Sequence, residues 1–205
     1  MSYDAETIAQ LETGQLVLRD FLTVFGKNGG TPVEINFWTG EDNVAANVVS
    51  AQDGSTDARN YIGGGTLRDV PPIVDAIGLE ARSIEFGLSQ IQSDVQDMVR
   101  AYNVRVAKVE FQRGLYDPAT WSLVSTPFPR FLGRVDGASV ETPEVGGEGA
   151  IRLTAASSNI DLTKTSPALK SDETQRLRSD DRVRRYSDTA AQIEVFWGLA
   201  KGSAD

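Results

Sequence analysis

The chain contains no cysteine and no histidine. Without cysteine there is no disulfide framework, thiolate zinc site, iron–sulfur cluster or cysteine nucleophile. Without histidine the Ser-His-Asp triad, the commonest general base and the commonest metal ligand are all removed. Carboxylate chemistry stays open, as an acid–base pair or a carboxylate-only Mg or Ca site. No run approaches the roughly 18 consecutive apolar residues of a membrane-crossing helix. The opening Met-Ser-Tyr-Asp-Ala-Glu is acidic and does not read as a secretory signal. The expectation is a protein made in a cytoplasm that stays there or leaves by lysis or assembly.

Against these absences stand 205 residues, 40% of them hydrophobic and 24% charged. That suits one sizeable core, or a core plus a smaller lobe. With 20 Lys+Arg against 29 Asp+Glu, the net charge is -9. So acidic a chain is poorly suited to wrapping duplex DNA, where affinity comes from neutralising phosphates. The charge is also uneven. Residues 1–60 hold three basic and nine acidic groups, whereas 164–185 hold seven basic and four acidic. This asymmetry would suit head-to-tail contacts between copies. The plainer alternative for 171–185 is a solvated, charge-mixed helix or loop. Composition as a whole points to a binding or structural protein more than to a catalyst.

Periodicity orders the chain. Asp4 as N-cap, Ile8 and Leu11 on one face and Gly14 as stop predict a helix over 4–13. Residues 15–38 alternate on both sides of Lys27-Asn28-Gly29-Gly30 and read as a β-hairpin, with Asp20 as a break. One helix over 4–25 is the competing reading. Residues 40–60 are polar and read as a long loop with at most one short strand, over 43–49. Gly63-Gly64-Gly65 beside Tyr61 reads as a tight crossing, and Pro71-Pro72 confines the adjoining residues to an edge strand or an extended crossing. Ile84, Phe86 and Leu88 predict a strand over 80–88. Leu88, Ile91, Val95, Met98, Val99 and Tyr102 predict an amphipathic helix over about 89–102. Val104, Val106, Val109 and Phe111 predict a strand, with 114–118 as a turn and 121–124 resuming. Residues 128–135 and 138–140 read as a hairpin turning at Asp136-Gly137. Gly146-Gly147-Glu148-Gly149 reads as a turn, and Ile151, Leu153 and Ala155 as a further strand. The expected class is α+β, mainly antiparallel β as a sandwich or barrel, with one main amphipathic helix (about 89–102) and a short N-terminal helix. The expected organisation is a β-rich core over 1–160. A charged segment over 161–205 would pack on the core or on a neighbouring subunit.

Candidate motifs carry little chemistry. Gly63-Gly64-Gly65 is not followed by phosphate-loop spacing, and prolines stand where a helix should begin. Glu41-Asp42 and Asp180-Asp181 are acidic pairs without the framing aromatics that stack sugars. Trp38, Trp121 and Trp197 could form a carbohydrate platform, but core or interface packing is preferred, because Trp buries large area. Arg176, Arg178, Arg182, Arg184 and Arg185 with Tyr186 could contact nucleic acid, against which the nearby acids and overall charge argue. No residue is assigned as catalytic, cofactor-binding or metal-binding, and no cofactor is expected.

The order of these elements, with "VRVAKVEFQRG", "GLYDP", "FLGRVDGASVE", "GAIRLTAAS" and the closing "KSDETQRLRSDDRVRRYSD", resembles tail-tip hub and baseplate proteins. These belong to phages with long non-contractile tails and to gene transfer agents of alphaproteobacteria. The resemblance covers most of residues 8–187 and rests on order and pattern. Some hubs of this group end in a cysteine-bearing portion that holds an iron–sulfur cluster, a feature that this cysteine-free chain does not share. The resemblance implies a non-enzymatic virion protein of the tail tip, made in the bacterial host. It would form a trimeric or hexameric ring joining tail tube to tip or receptor-binding apparatus, around a channel for DNA or tape-measure protein. Implied partners are further copies of itself and the tail tube, distal tail and tip or fibre proteins. Passing DNA or tape-measure protein would be met only non-specifically, and no membrane is engaged. A distal tail adaptor ring is the close alternative. A carbohydrate-binding or glycoside-cleaving module is the alternative of another class.

Overall fold

A computed structural model describes residues 4–73, 82–142, 149–159, 161, 168–190 and 192. The chain divides into two compact units, Met1–Thr163 and Lys164–Asp205. The first unit is mainly antiparallel β with short helices, as the sequence class predicts.

It begins with α1 (Ala5–Thr13), where the Asp4 carboxylate accepts from the Thr7 N–H and Gly14 closes the helix at φ 68°. Strands β1 (Val17–Asn28) and β2 (Thr31–Trp38) form the expected hairpin. Its turn places Gly29 and Gly30 at φ 56° and 98°, which glycine adopts without a Cβ penalty. The long N-terminal helix is thereby excluded. Then come β3 (Val44–Val49), β4 (Thr56–Tyr61), β5 (Leu67–Asp69), β6 (Ser83–Ser89), α2 (Ser93–Arg100), β7 (Asn103–Tyr116), β8 (Phe128–Glu141) and β9 (Ala150–Ser157). Seven strands make one sheet in the order β2-β1-β7-β8-β9-β6-β5, and β3 pairs with β4 separately.

One face of the large sheet supplies the main core. Leu22 and Val24 of β1, Phe37 of β2 and Phe111 of β7 pack in the same cluster as Leu153 of β9, Phe86 of β6 and Leu67 of β5. Strands from both ends of the order therefore share one interior, which a flat sheet cannot arrange; the sheet curls. Val95 and Met98 of α2 plug it. The opposite face of β1, β2 and β7 is covered by the β3–β4 hairpin, through Phe21, Trp38, Ala46, Val48, Tyr61 and Tyr116.

Several expectations are corrected. Residues 40–60 hold two paired strands and not a loop with one, because the inward residues of β4 include Arg59, which leaves no apolar alternation to read. The helix starts at Ser93 and not near 89: Leu88 continues the strand alternation opposite Ile151 and Leu67, and Ile91 is 83% exposed. Gly114, Leu115 and Tyr116 belong to β7, and the turn begins at Asp117, whose carboxylate accepts from Ala119 N–H and Thr120 Oγ1. Residues 121–124 are not a strand; only Leu123 bridges back, to Tyr116. Asp136-Gly137 is not a turn. β8 runs through it, and Asp136 is an extra residue between the pairs Val135–Ala155 and Gly137–Thr154, a β-bulge. The expected turn at 146–149 lies mostly outside the described residues, as do positions 80 and 81 of the first strand after the prolines.

The Gly63-Gly64-Gly65 crossing is tight. A Cβ on Gly63 would clash with the Asp42 carbonyl oxygen, and Gly64 and Gly65 take φ 68° and 70°. Gly63→Ala should therefore cost about 1–3 kcal/mol of stability, read as a lowered urea midpoint at unchanged slope.

Candidate functional site

Between the sheet and the β3–β4 hairpin lies a buried polar cluster. Register puts Thr23 opposite Glu110 and Phe21 opposite Gln112, so these side chains share the outer face of β1 and β7. Glu110, Gln112 and Thr23 are fully buried. Arg59 reaches down from β4 and donates to Glu110 Oε2 at 2.7 Å and to Thr23 Oγ1 at 3.2 Å. Glu110 also accepts from Ser50 Oγ at 3.2 Å and Gln112 Nε2 at 3.1 Å. Asp57 and Glu34 pair with the same guanidinium from the rim, at 3.0 and 3.3 Å. The guanidinium lies 5.3 Å from the Phe25 ring centroid. Burial alone would push Arg59 down, but the hydrogen bond and charge of Glu110, helped by Glu34, hold it above its ordinary value.

Chemically this arrangement fastens the hairpin. The Arg59–Glu110 ion pair ties β4 to the sheet, while Arg59 Nε and Gln112 Oε1 are buried without a hydrogen-bond partner among the described residues. An open depression of about 480 Å³ lies over it, lined by Phe25, Glu34, Ser50, Asp53, Asp57 and Arg59 among others. Among the described residues no group of three acidic side chains is arranged to hold a metal ion. A second fastening answers the break at Asp20. Its carboxylate faces Arg113 across β1–β7 and accepts from Nε at 2.7 Å and Nη2 at 3.3 Å. Sequence patterning alone did not single out Glu110 or Arg59. The available signal was Glu110 and Gln112 interleaved with Val109 and Phe111, an alternation that reads as solvent-facing until a second layer covers it.

The motif residues separate. Trp38 is buried, stacks on Phe21 with ring centroids 5.6 Å apart and on Tyr116 at 6.1 Å, and donates from Nε1 to the Asp42 carbonyl at 2.8 Å. It is packing, as preferred. Trp121 is exposed, on a turn at φ 51°. Trp197 lies outside the described residues. Glu41 and Asp42 are exposed on the link into β3. In the second unit, α3 (Asp172–Arg176) is capped by Ser171 and α4 spans Ser187–Ala190. Asp180 pairs with Arg176, and the carboxylate of Asp181 accepts from Gln175 Nε2. Arg182 binds Asp172 at 2.6 Å, and Arg185 lies over Tyr186. Arg178, Arg184 and Arg185 form no ion pair among the described residues.

Four exposed apolar side chains lie at one end of the first unit, while Ile91, Val106 and Val140 are exposed elsewhere. Ile8 and Leu11 lie on α1, Leu18 opens β1, and Trp121 comes just after β7. Three contacts tie these pieces together: Thr7 Oγ1 to Ser125 Oγ at 2.6 Å, Leu18 opposite Leu115, and Val124 N–H to the Leu115 carbonyl at 2.9 Å. The structure thus defines an α+β, mainly antiparallel β protein with a buried ionic fastening and an apolar end. No protein-family model matches the chain, and no curated protein matches it.

The buried pair and the buried phenols can both be tested. Glu110→Ala leaves the buried Arg59 guanidinium with only the rim carboxylates Asp57 and Glu34 and should cost about 3 kcal/mol in chemical denaturation. Replacing the pair together, Arg59→Met with Glu110→Leu, should cost clearly less. Burial also raises the Tyr61 and Tyr116 hydroxyls above their ordinary value of 10.0. The unfolded phenols ionise first, so their contribution to stability is complete below about pH 10 and is lost as pH rises through the folded values. Denaturation curves from pH 8 to 11.5 should show that loss, reduced in Tyr61→Phe/Tyr116→Phe.

Proposed function

We propose that the protein is a non-enzymatic structural component of the tail tip of a phage or phage-like particle. It is a hub subunit that forms a ring between the tail tube and the tip or receptor-binding apparatus, with a distal tail adaptor ring as the nearest alternative. The observation that carries this reading is the pairing of complementary exposed surfaces within one chain. The first unit is acidic and has an apolar end at Ile8, Leu11, Leu18 and Trp121. The second is basic over 164–185 and exposes Leu169, Leu177, Val183 and Tyr186. Soluble chains rarely leave such groups together unless something covers them, and copies of one chain can cover one another around a closed axis. The element order on which the tail-tip resemblance rests, helix, hairpin, glycine crossing, strand, helix and further strands, also supports it. An acidic ring would let DNA pass without holding its phosphates. The buried Arg59–Glu110 pair is engaged within the protein itself, which fits a structural part. Trp38 is withdrawn into packing, which takes one of the three candidate stacking faces from the carbohydrate reading.

Purified particles should contain the chain in a copy number matching one ring of three or six, and a reconstruction should place its curled sheet at the tail tip. Particles free of the chain at single-ring sensitivity would end the proposal.

A further inference from the structure

We propose that the C-terminal unit of one copy docks, through Leu177, Val183 and Tyr186, on the α1 and Trp121 end of the first unit of a second copy. The inference rests on the ring reading and names its interface. The donor segment cannot bury these side chains in its own secondary structure. Its helices span Asp172–Arg176 and Ser187–Ala190, and α3 buries no residue. Leu177 and Val183 are 87% and 83% exposed. Around them Arg178, Arg184 and Arg185 are exposed and form no ion pair among the described residues. The segment therefore exposes apolar side chains beside three arginines that form no ion pair among the described residues.

The acceptor end has the matching chemistry. Ile8, Leu11, Leu18 and Trp121 are exposed, and the three contacts through Thr7, Leu115 and Ser125 hold their elements together. The exposed charges of α1 and its cap are Asp4, Glu6 and Glu12, with no basic residue in the helix. Residues 1–163 carry 12 basic and 22 acidic groups, so the acceptor unit is strongly negative as a whole. Opposite charge at the rim would steer the approach, and apolar contact at the centre would supply the hold. Donor and acceptor are different surfaces, so the contact is head-to-tail. Such contacts propagate, and they close into a ring where the rotation between copies returns to the start.

The test uses the full chain in sedimentation velocity over a range of concentration and salt. The unmodified chain should associate, and more weakly at high salt. A segment variant, Arg178→Glu/Arg184→Glu/Arg185→Glu, and a face variant, Ile8→Ser/Leu11→Ser, should each weaken association by at least about tenfold. All five positions are exposed, so circular dichroism should be unchanged. Mixing the two variants should restore one contact and stop at a dimer, since only one working segment meets one working face. Cross-linking a mixture of ordinary and nitrogen-15-labelled chain should join residues 168–186 to α1 between copies. The inference is overturned if the unmodified chain stays monomeric, if either variant assembles normally, if the mixture gives no dimer, or if those cross-links arise only within a copy. A chain found in tail-tip rings despite such a result would leave the ring reading standing and this interface wrong.

Discussion

A carboxylate with no exposed surface organises the first unit. Glu110 projects from the outer face of β7, where an antiparallel sheet commonly meets water. It is met there by Arg59 from the β3–β4 hairpin, by Ser50 and by Gln112. A buried ion pair is weak evidence for stability, because removing two charges from water offsets much of their attraction. Its consequence here is registry. A slip of one residue along β4 would turn Arg59 to solvent and leave Glu110 without its countercharge. Only one placement of the hairpin satisfies the cluster, and that placement also sets Tyr61 against Phe21, with ring centroids 4.9 Å apart.

That constraint sets the layering. With the hairpin in place, β1 and β7 are buried on both faces near their middles: Phe21 and Thr23 face the hairpin while Leu22 and Val24 face the curled interior. Cross-strand charge continues where the sheet is solvated. Arg152 of β9 bridges Glu85 of β6 and Glu141 of β8 at 2.7 and 2.6 Å. These groups are half exposed and contribute little beyond alignment. The Asp136 bulge in β8 and the residue-106 region of β7, where Val106 takes φ 60°, interrupt the ladder and let the strands bend. Exposed apolar side chains lie at the α1 end and in the C-terminal unit, and also at Ile91, Val106 and Val140.

Much of the fold is legible in sequence because local chemistry decides it. Asp4 bounds α1 through its side-chain cap and Gly14 through its left-handed backbone. Asn28-Gly29-Gly30 turns the first hairpin, and Ile151, Leu153 and Ala155 mark the inward face of β9. Where reading failed, a distant element had changed what a residue meant. Asp136-Gly137 has turn chemistry, yet pairing with β9 on both sides of it keeps the strand running. Leu88 fits a helical face, yet its partners Ile151 and Leu67 hold it in a strand. Glu110, Gln112 and Arg59 look solvated because no local rule announces a second layer.

The amino-acid sequence by itself determined which chemistries are closed, since a side chain that is absent cannot relay a proton or bind a soft metal. It also determined the division of charge between body and C-terminal segment, and the elements bounded by caps, turns and alternation. Tertiary structure alone decided that the polar stretch at 40–60 is a docked hairpin, that Trp38 is interior and Trp121 exposed, and that a glutamate and an arginine 51 positions apart share one buried bond. Those outcomes depend on which surfaces meet after the sheet curls, a long-range matter that neighbouring residues do not encode.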